Sequence, residues 1–275
     1  MTAIFRRQRW LLTLVGVLVC GVMLFPLYWM VNVSLTKPQN VISTPPHLFP
    51  TDPTFDGYRH ALDTQLPNLV TSLIIAFGTV LITLAIALPA SYGMSKLRAP
   101  GRGLIMFIFL LAQMIPGIVM VMALFAIYQQ IGLLNSYPGL MLANATGAVP
   151  VAVFILRAFM LQIPDELIEA AKLDGAGEWR AFWAIVVPLS RNAILTASLL
   201  TFLASWGDFL NARSLTTGNS IVPFSLGLFR FIGANTQDWN AVMASAVIAA
   251  VPATVLLIFA QRYVAAGVTA GAVKD

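Results

Sequence analysis

The stretch NLVTSLIIAFGTVLITLAIALPASYGMSK, Asn68 to Lys96, carries no Asp, Glu, His, Lys or Arg before Lys96. A helix needs about 20 mostly apolar residues to cross the hydrocarbon core of a bilayer. An apolar run this long, without polar alternation, is a membrane helix and not a barrel strand.

The same reading extends in both directions. Residues 10–33 form a first span, 68–96 the second, 104–128 a third and 138–159 a fourth, with a fifth within 192–212 and a sixth within 239–262. Each is expected as one continuous helix. The run from Ile221 to Ala234 is too short to cross and contains Pro223, Gly227, Arg230 and Gly233, so it reads as a loop with a short interfacial or re-entrant piece. The chain is 59% hydrophobic and only 10% charged, with a mean hydropathy of +0.83. A soluble domain carries about 25% charged residues, so a soluble globule is excluded. Cys20 is the one cysteine, which excludes a disulfide scaffold.

Six spans divide the 16 Lys and Arg residues unequally. One face takes Arg6, Arg7, Arg9, Lys96, Arg98, Arg102, Arg157, Lys172, Arg180, Arg191, Arg262 and Lys274, whereas the other takes only Lys37, Arg59, Arg213 and Arg230. Basic loops stay in the cytoplasm, which places both termini there. The net charge of +5 is thus a topology signal and not a nucleic-acid footprint. The basic N-terminus and its apolar run read as an uncleaved first helix, because the run exceeds the roughly 7–15 residues of a signal core. The segment 35–67, with six prolines, reads as an ordered outer loop too small to be a binding domain.

Between the fourth and fifth spans, residues 157–191 hold five of the 11 acidic residues: Asp165, Glu166, Glu169, Asp174 and Glu178. Ile163-Pro164-Asp165-Glu166 is a helix start, since Pro suits the first turn and acids suit the positive dipole end. Asp174-Gly175-Ala176-Gly177 ends that helix near Leu173. A second helix follows, with Trp179, Phe182, Trp183 and Val186 on one face, and Pro188 is expected to end or kink it. That apolar face is expected to pack on the bundle. The first helix, with Ala170 and Ala171, either packs on its own bundle or lets another protein approach closely. Spacing alone leaves both open.

The pattern Glu169-Ala170-Ala171, three residues, Gly175, nine residues, then Ile185-Val186-Val187-Pro188 resembles the Glu-Ala-Ala loop of ABC importer permeases. Val187 stands where that family usually has Leu, a conservative departure. The likeness extends to Trp206-Gly-Asp208-Phe-Leu-Asn211 and to the tail Gly267-Val-Thr-Ala-Gly-Ala-Val-Lys274, which are similar to the smaller permease of maltose-type carbohydrate importers. The resemblance implies an all-α, type I ABC importer permease fold with six transmembrane helices, residues 1–275 being one permease domain. It implies a bacterial or archaeal cytoplasmic membrane location and a partner permease, expected to be a homologous but different chain. Two ATPase subunits that bind ATP and Mg, and an external solute-binding protein, complete the expected assembly. It also implies that Glu169, Ala170, Ala171, Asp174 and Gly175 couple to an ATPase. The chain itself has no phosphate-binding Gly-rich loop with Lys and Ser/Thr, so no cofactor is expected in it and it is not expected to be an enzyme.

Polar residues inside spans are costly and mark either a solute path or interhelix hydrogen bonds. Gln113, Asn144, Ser205, Trp206, Asp208 and Asn211 are the candidates, and Asp208 is the one acid within a span. Amides and carboxylates beside aromatic faces suit a sugar or sugar-like solute. Counting about 1.5 Å per residue from Asn192 sets Asp208 near the outer end of its helix, where it caps or pairs locally, with Arg213 as one partner. His47 and His60 read as exposed loop histidines far from any Cys, so no metal site is expected. Met106, Met114, Met120 and Met122 read as packing residues. No catalytic residue is expected: an intramembrane enzyme lacks a Ser/His pair or metal motif in the spans. A stand-alone secondary transporter or channel calls for inverted repeats or broken helices, and an importer for a glycerol phosphate is a further alternative.

Overall fold

A computed structural model describes residues 2–97, 100–218, 220–234 and 238–272. Arg98 and the tail residues Val273 and Lys274 lie outside the described residues, as do the side chains of Arg6, Arg7, Arg9 and Arg262. The chain is mostly helical, and among the described residues the only β pairing is an isolated bridge between Thr36 and Pro53. The principal helices are α1 (Thr2–Ser34), α2 (Asp56–Ser95), α3 (Arg102–Gln113), α4 (Gly117–Ile131), α5 (Tyr137–Met160) and α6 (Asp165–Leu173). They continue as α7 (Glu178–Leu189, with a π turn at Phe182–Val186), α8 (Arg191–Trp206), α9 (Leu210–Leu215), α10 (Phe224–Ala234) and α11 (Trp239–Ala272).

Four helical stretches are long and apolar enough to cross a membrane: Leu12–Ser34, Asp56–Ser95, Tyr137–Met160 and Trp239–Gln261. Two bent pairs add to them. The expected single third span is two helices, α3 and α4, meeting at 99°. Pro116 offers no amide to the helix before it and biases Ile115 away from helical angles, so the chain turns there and restarts at Gly117. The second pair is α7 and α8, bent by 75° at Ser190, two residues beyond Pro188. The short apolar run after Ile221 is the helix α10.

Helix α2 begins twelve residues before the expected start and runs through Pro67. Proline there removes only the bond to the carbonyl of Asp63, an exposed residue, so the loss is tolerable.

Two compact units make up the chain, residues 1–66 with 228–251, and residues 67–227 with 252–275. In the first, the Asn240 amide gathers three backbone carbonyls at the end of α1. Its Nδ2 donates to the carbonyls of Ser34 at 2.9 Å and Thr36 at 2.6 Å, with that of Val33 at 3.4 Å. The side chain is 1% exposed and lies against Gly57, where a Cβ would sit 1.9 Å from its Oδ1. Ser34 and Tyr58 hydroxyls meet at 2.8 Å beside it. Leaving buried carbonyls unpaired costs about 1–3 kcal/mol. Asn240→Ala is therefore expected to lower the thermal unfolding midpoint of the purified protein, and an unchanged melt would contradict this role. His60 is not a free loop residue: it lies in α2, with Nδ1 3.1 Å from Asp238 and its ring edge-on to Phe231.

In the second unit α5 is the central helix. Ala152, Val153, Leu156 and Met160 pack with Ala87, Leu88 and Tyr92 of α2, Ile168 of α6, Phe182 and Val186 of α7, and Ala193 and Ala197 of α8. The alanines let helix backbones approach closely, which is how helices associate where lipid removes the hydrophobic drive. A second cluster joins Leu140 and Ala143 of α5 to Val121 and Tyr128 of α4 and Leu215 of α9.

Candidate functional site: a polar cavity and a clamped helix

Two groups of polar residues in the second unit bear on function. The first is a cavity of about 490 Å³ among α3, α4, α5, α8 and α9, lined by Gln113, Asn144, Ser205, Asp208 and Asn211 among mostly small apolar residues. Five of the six candidate path residues thus come together. The sixth, Trp206, does not line it and instead stacks on Phe202 at 5.7 Å.

A chain of hydrogen bonds joins the polar groups. Asn211 Nδ2 donates to Asn144 Oδ1 at 2.7 Å, Asn144 Nδ2 donates to Ser205 Oγ at 2.9 Å, and Ser205 donates to Thr79 Oγ1 at 3.2 Å. Gln113, at the last residue of α3, donates to the Gly147 carbonyl at 3.0 Å. The break between α8 and α9 is held by Asp208, whose carboxylate accepts from the backbone N–H groups of Asn211 at 3.3 Å and Ala212 at 3.1 Å. It caps the start of α9, as Asp does well, and the Ser225 hydroxyl donates to its backbone carbonyl at 2.5 Å. Thr79 was not among the expected site residues. Ser72, Thr79 and Thr83 are buried and fall at spacings of seven and four on α2, a hydroxyl stripe that is visible in the sequence.

The second place is α6. Glu169, Ala170, Asp174 and Gly175 are exposed and Ala171 half-buried, while Ile168 anchors the helix in the core. Leu173 is 89% exposed. Gly175 has φ +83°, the left-handed region, and closes the helix end as the Ala176 amide donates back to Ala171 at 2.9 Å.

Both ends of α6 are fastened to α2. At the start, Lys96 donates to Asp165 at 2.7 Å and to the Ile163 carbonyl, its own side chain being only 5% exposed. At the other end, Glu178 pairs with Lys172 at 2.5 Å and accepts from the Tyr92 hydroxyl at 2.9 Å. The Lys172 ammonium, and after it Tyr92, hold the Glu178 carboxyl below its ordinary pKa, so the clasp is charged at neutral pH. Sequence reading did not find Tyr92, Lys96 and Glu178 as a set, because each partner lies 67 to 86 residues away in the chain. On α7, Phe182 and Val186 are buried as expected, whereas Trp179 and Trp183 are 69% and 57% exposed. The expected apolar face is therefore split, half of it turned outward beside α6.

A family model described as binding-protein-dependent transport system inner membrane component matches residues 87–270. The chain is 35% identical over 261 residues to the trehalose transport system permease protein SugB of Mycobacterium tuberculosis (strain CDC 1551 / Oshkosh), covering 94% of each chain. It is 31% identical over 272 residues to the trehalose/maltose transport system permease protein MalG of Thermococcus litoralis, covering 97% of each. In fold it is similar to a chain of a bacterial ABC transporter involved in the import of the acidic polysaccharide alginate, with a TM-score of 0.81 at 20% identity, over 94% of this chain and 96% of that one.

Proposed function

The chain belongs to the family of binding-protein-dependent transport system inner membrane components, and from that premise we propose that it is the permease subunit of an ABC importer for a sugar or sugar-like solute. It works in the cytoplasmic membrane and is not itself an enzyme. Counting the bent pair α3–α4 as one span and α8 as another, with α7 left in the cytoplasmic loop, gives six spans with the four long apolar helices, and the twelve-to-four division of basic residues argues for both termini and α6 on the cytoplasmic side. The polar cavity is this chain's half of the solute path, which a second permease subunit completes. An external solute-binding protein delivers cargo, and two ATPase subunits, carrying ATP and Mg, supply the energy.

The observation that carries this reading is α6 itself. A nine-residue helix with an exposed Glu169-Ala170 surface, clamped to α2 at both ends, can pass on a push without folding up. Glu169 offers a carboxylate to a basic group of the ATPase, and the alanines permit close contact. Closure of the ATPase dimer then moves α6 as a lever and repacks the helices around the cavity, a rigid-body switch between two states.

Purification of the intact complex tests this. We expect ATPase subunits to co-purify with the chain and their hydrolysis to rise when the binding protein is added with its sugar. A chain that purifies without any ATPase, and that moves solute without ATP, would mark it as a secondary transporter.

A further inference from the structure

The fold leaves the charge of the cargo open, since a transporter with the same fold handles an acidic polysaccharide whereas the trehalose permease is named for an uncharged sugar. The cavity lining narrows it. Among the described residues, no Lys, Arg or His lines the cavity, and its one acidic side chain is Asp208. Each carboxylate oxygen of Asp208 meets a backbone N–H and not a cation. The start of α9 supplies at most about half a positive charge, so a net negative charge remains. The other polar groups are the amides of Gln113, Asn144 and Asn211 and the hydroxyls of Thr146, Thr201 and Ser205, which both donate and accept.

Taking the cavity as the solute path, as the functional reading does, we infer that Asp208 makes this chain's half of the path select against anions, so that its cargo is an uncharged polyhydroxylated sugar. Hydroxyls of such a solute exchange hydrogen bonds with the amides and need no counter-charge. A phosphate, carboxylate or sulfonate group meets the field of Asp208 in a confined space with little screening. Asp208 acts on the solute through charge. Asn keeps only part of the capping of α9, because it offers one acceptor oxygen where Asp208 uses two, so the charge is read from the thiol rates and not from uptake.

The test reads the field directly in the assembled transporter. In a Cys20→Ser background, Ala204→Cys puts one thiol on the cavity wall, at an exposed position on the last turn of α8. Its rates of modification by a cationic trimethylammonium and an anionic sulfonate methanethiosulfonate are compared with and without Asp208→Asn. The cationic reagent should be favoured with Asp208 present, and Asp208→Asn should reduce the preference at least about fivefold. A preference unchanged by Asp208→Asn overturns the inference, and so does a thiol that neither reagent reaches. Uptake of an uncharged disaccharide by the unsubstituted complex, measured in parallel with the binding protein, checks the functional reading on which this inference rests. If the unsubstituted complex takes up no sugar at all while the thiol rates still shift with Asp208→Asn, the functional reading fails and the field of Asp208 stands.

Discussion

Gly175→Val is expected to abolish most ATP-driven solute uptake while the chain still reaches the membrane. Gly175 sits at φ +83° with open space where a Cβ would be, so the obstacle is backbone conformation and not crowding. A β-branched residue held in the left-handed region is strained by about 1–3 kcal/mol, roughly a fivefold to 150-fold shift away from the closed helix end. Once the turn opens, the Ala176 to Ala171 bond is lost, and α6 no longer presents Glu169 and Ala170 in one rigid surface. Asn tolerates left-handed angles, so Gly175→Asn should retain much of the uptake. Uptake into proteoliposomes containing ATP gives the ranking, and equal uptake by the Val and Asn variants would remove the turn from the mechanism. Glu169→Ala should reduce solute-stimulated hydrolysis without changing the stability of the helix, because its exposed side chain is not part of either clamp.

What could be read in advance follows from the range of the forces involved. The spans rest on unbroken apolar composition, a local property, and the α6 turn rests on Asp174-Gly175, also local. The right-angle bend at Met114–Pro116 was signalled by Ile115-Pro116-Gly117, yet the apolar run across it resembles one span. Residues 207–209 looked like the outer end of a helix, and only in three dimensions does Asp208 become the cap of a new one. His60 was read as a loop residue because helix α2 extends to Asp56, past the apolar segment that announced it. The clamps on α6 were beyond reach for a different reason: Lys96 and Asp165 are 69 residues apart, and nothing in either neighbourhood specifies the other.

The Lys96 clamp leads to an asymmetric expectation. Lys96 is the buried member of its pair, with 5% of its side chain exposed, whereas Asp165 is 57% exposed. Removing Asp165 strands a buried ammonium beside the neutral Ile163 carbonyl, and an uncompensated buried charge costs about 3–5 kcal/mol. Removing Lys96 strands nothing, because Asp165 turns to water and still favours the first turn of α6. That loss is nearer to about 1–3 kcal/mol, the value of the charged hydrogen bonds alone. Asp165→Ala should thus lower the unfolding midpoint more than Lys96→Met, and Lys96→Met added to Asp165→Ala should restore part of the loss. All three variants should hydrolyse ATP with less uptake per ATP, because α6 then moves without carrying α2 along. A double-mutant cycle in nanodiscs measures the pair term. Additive effects on the midpoint, together with an unaltered ratio of uptake to hydrolysis, would show that Lys96 neither fastens α6 nor transmits its motion.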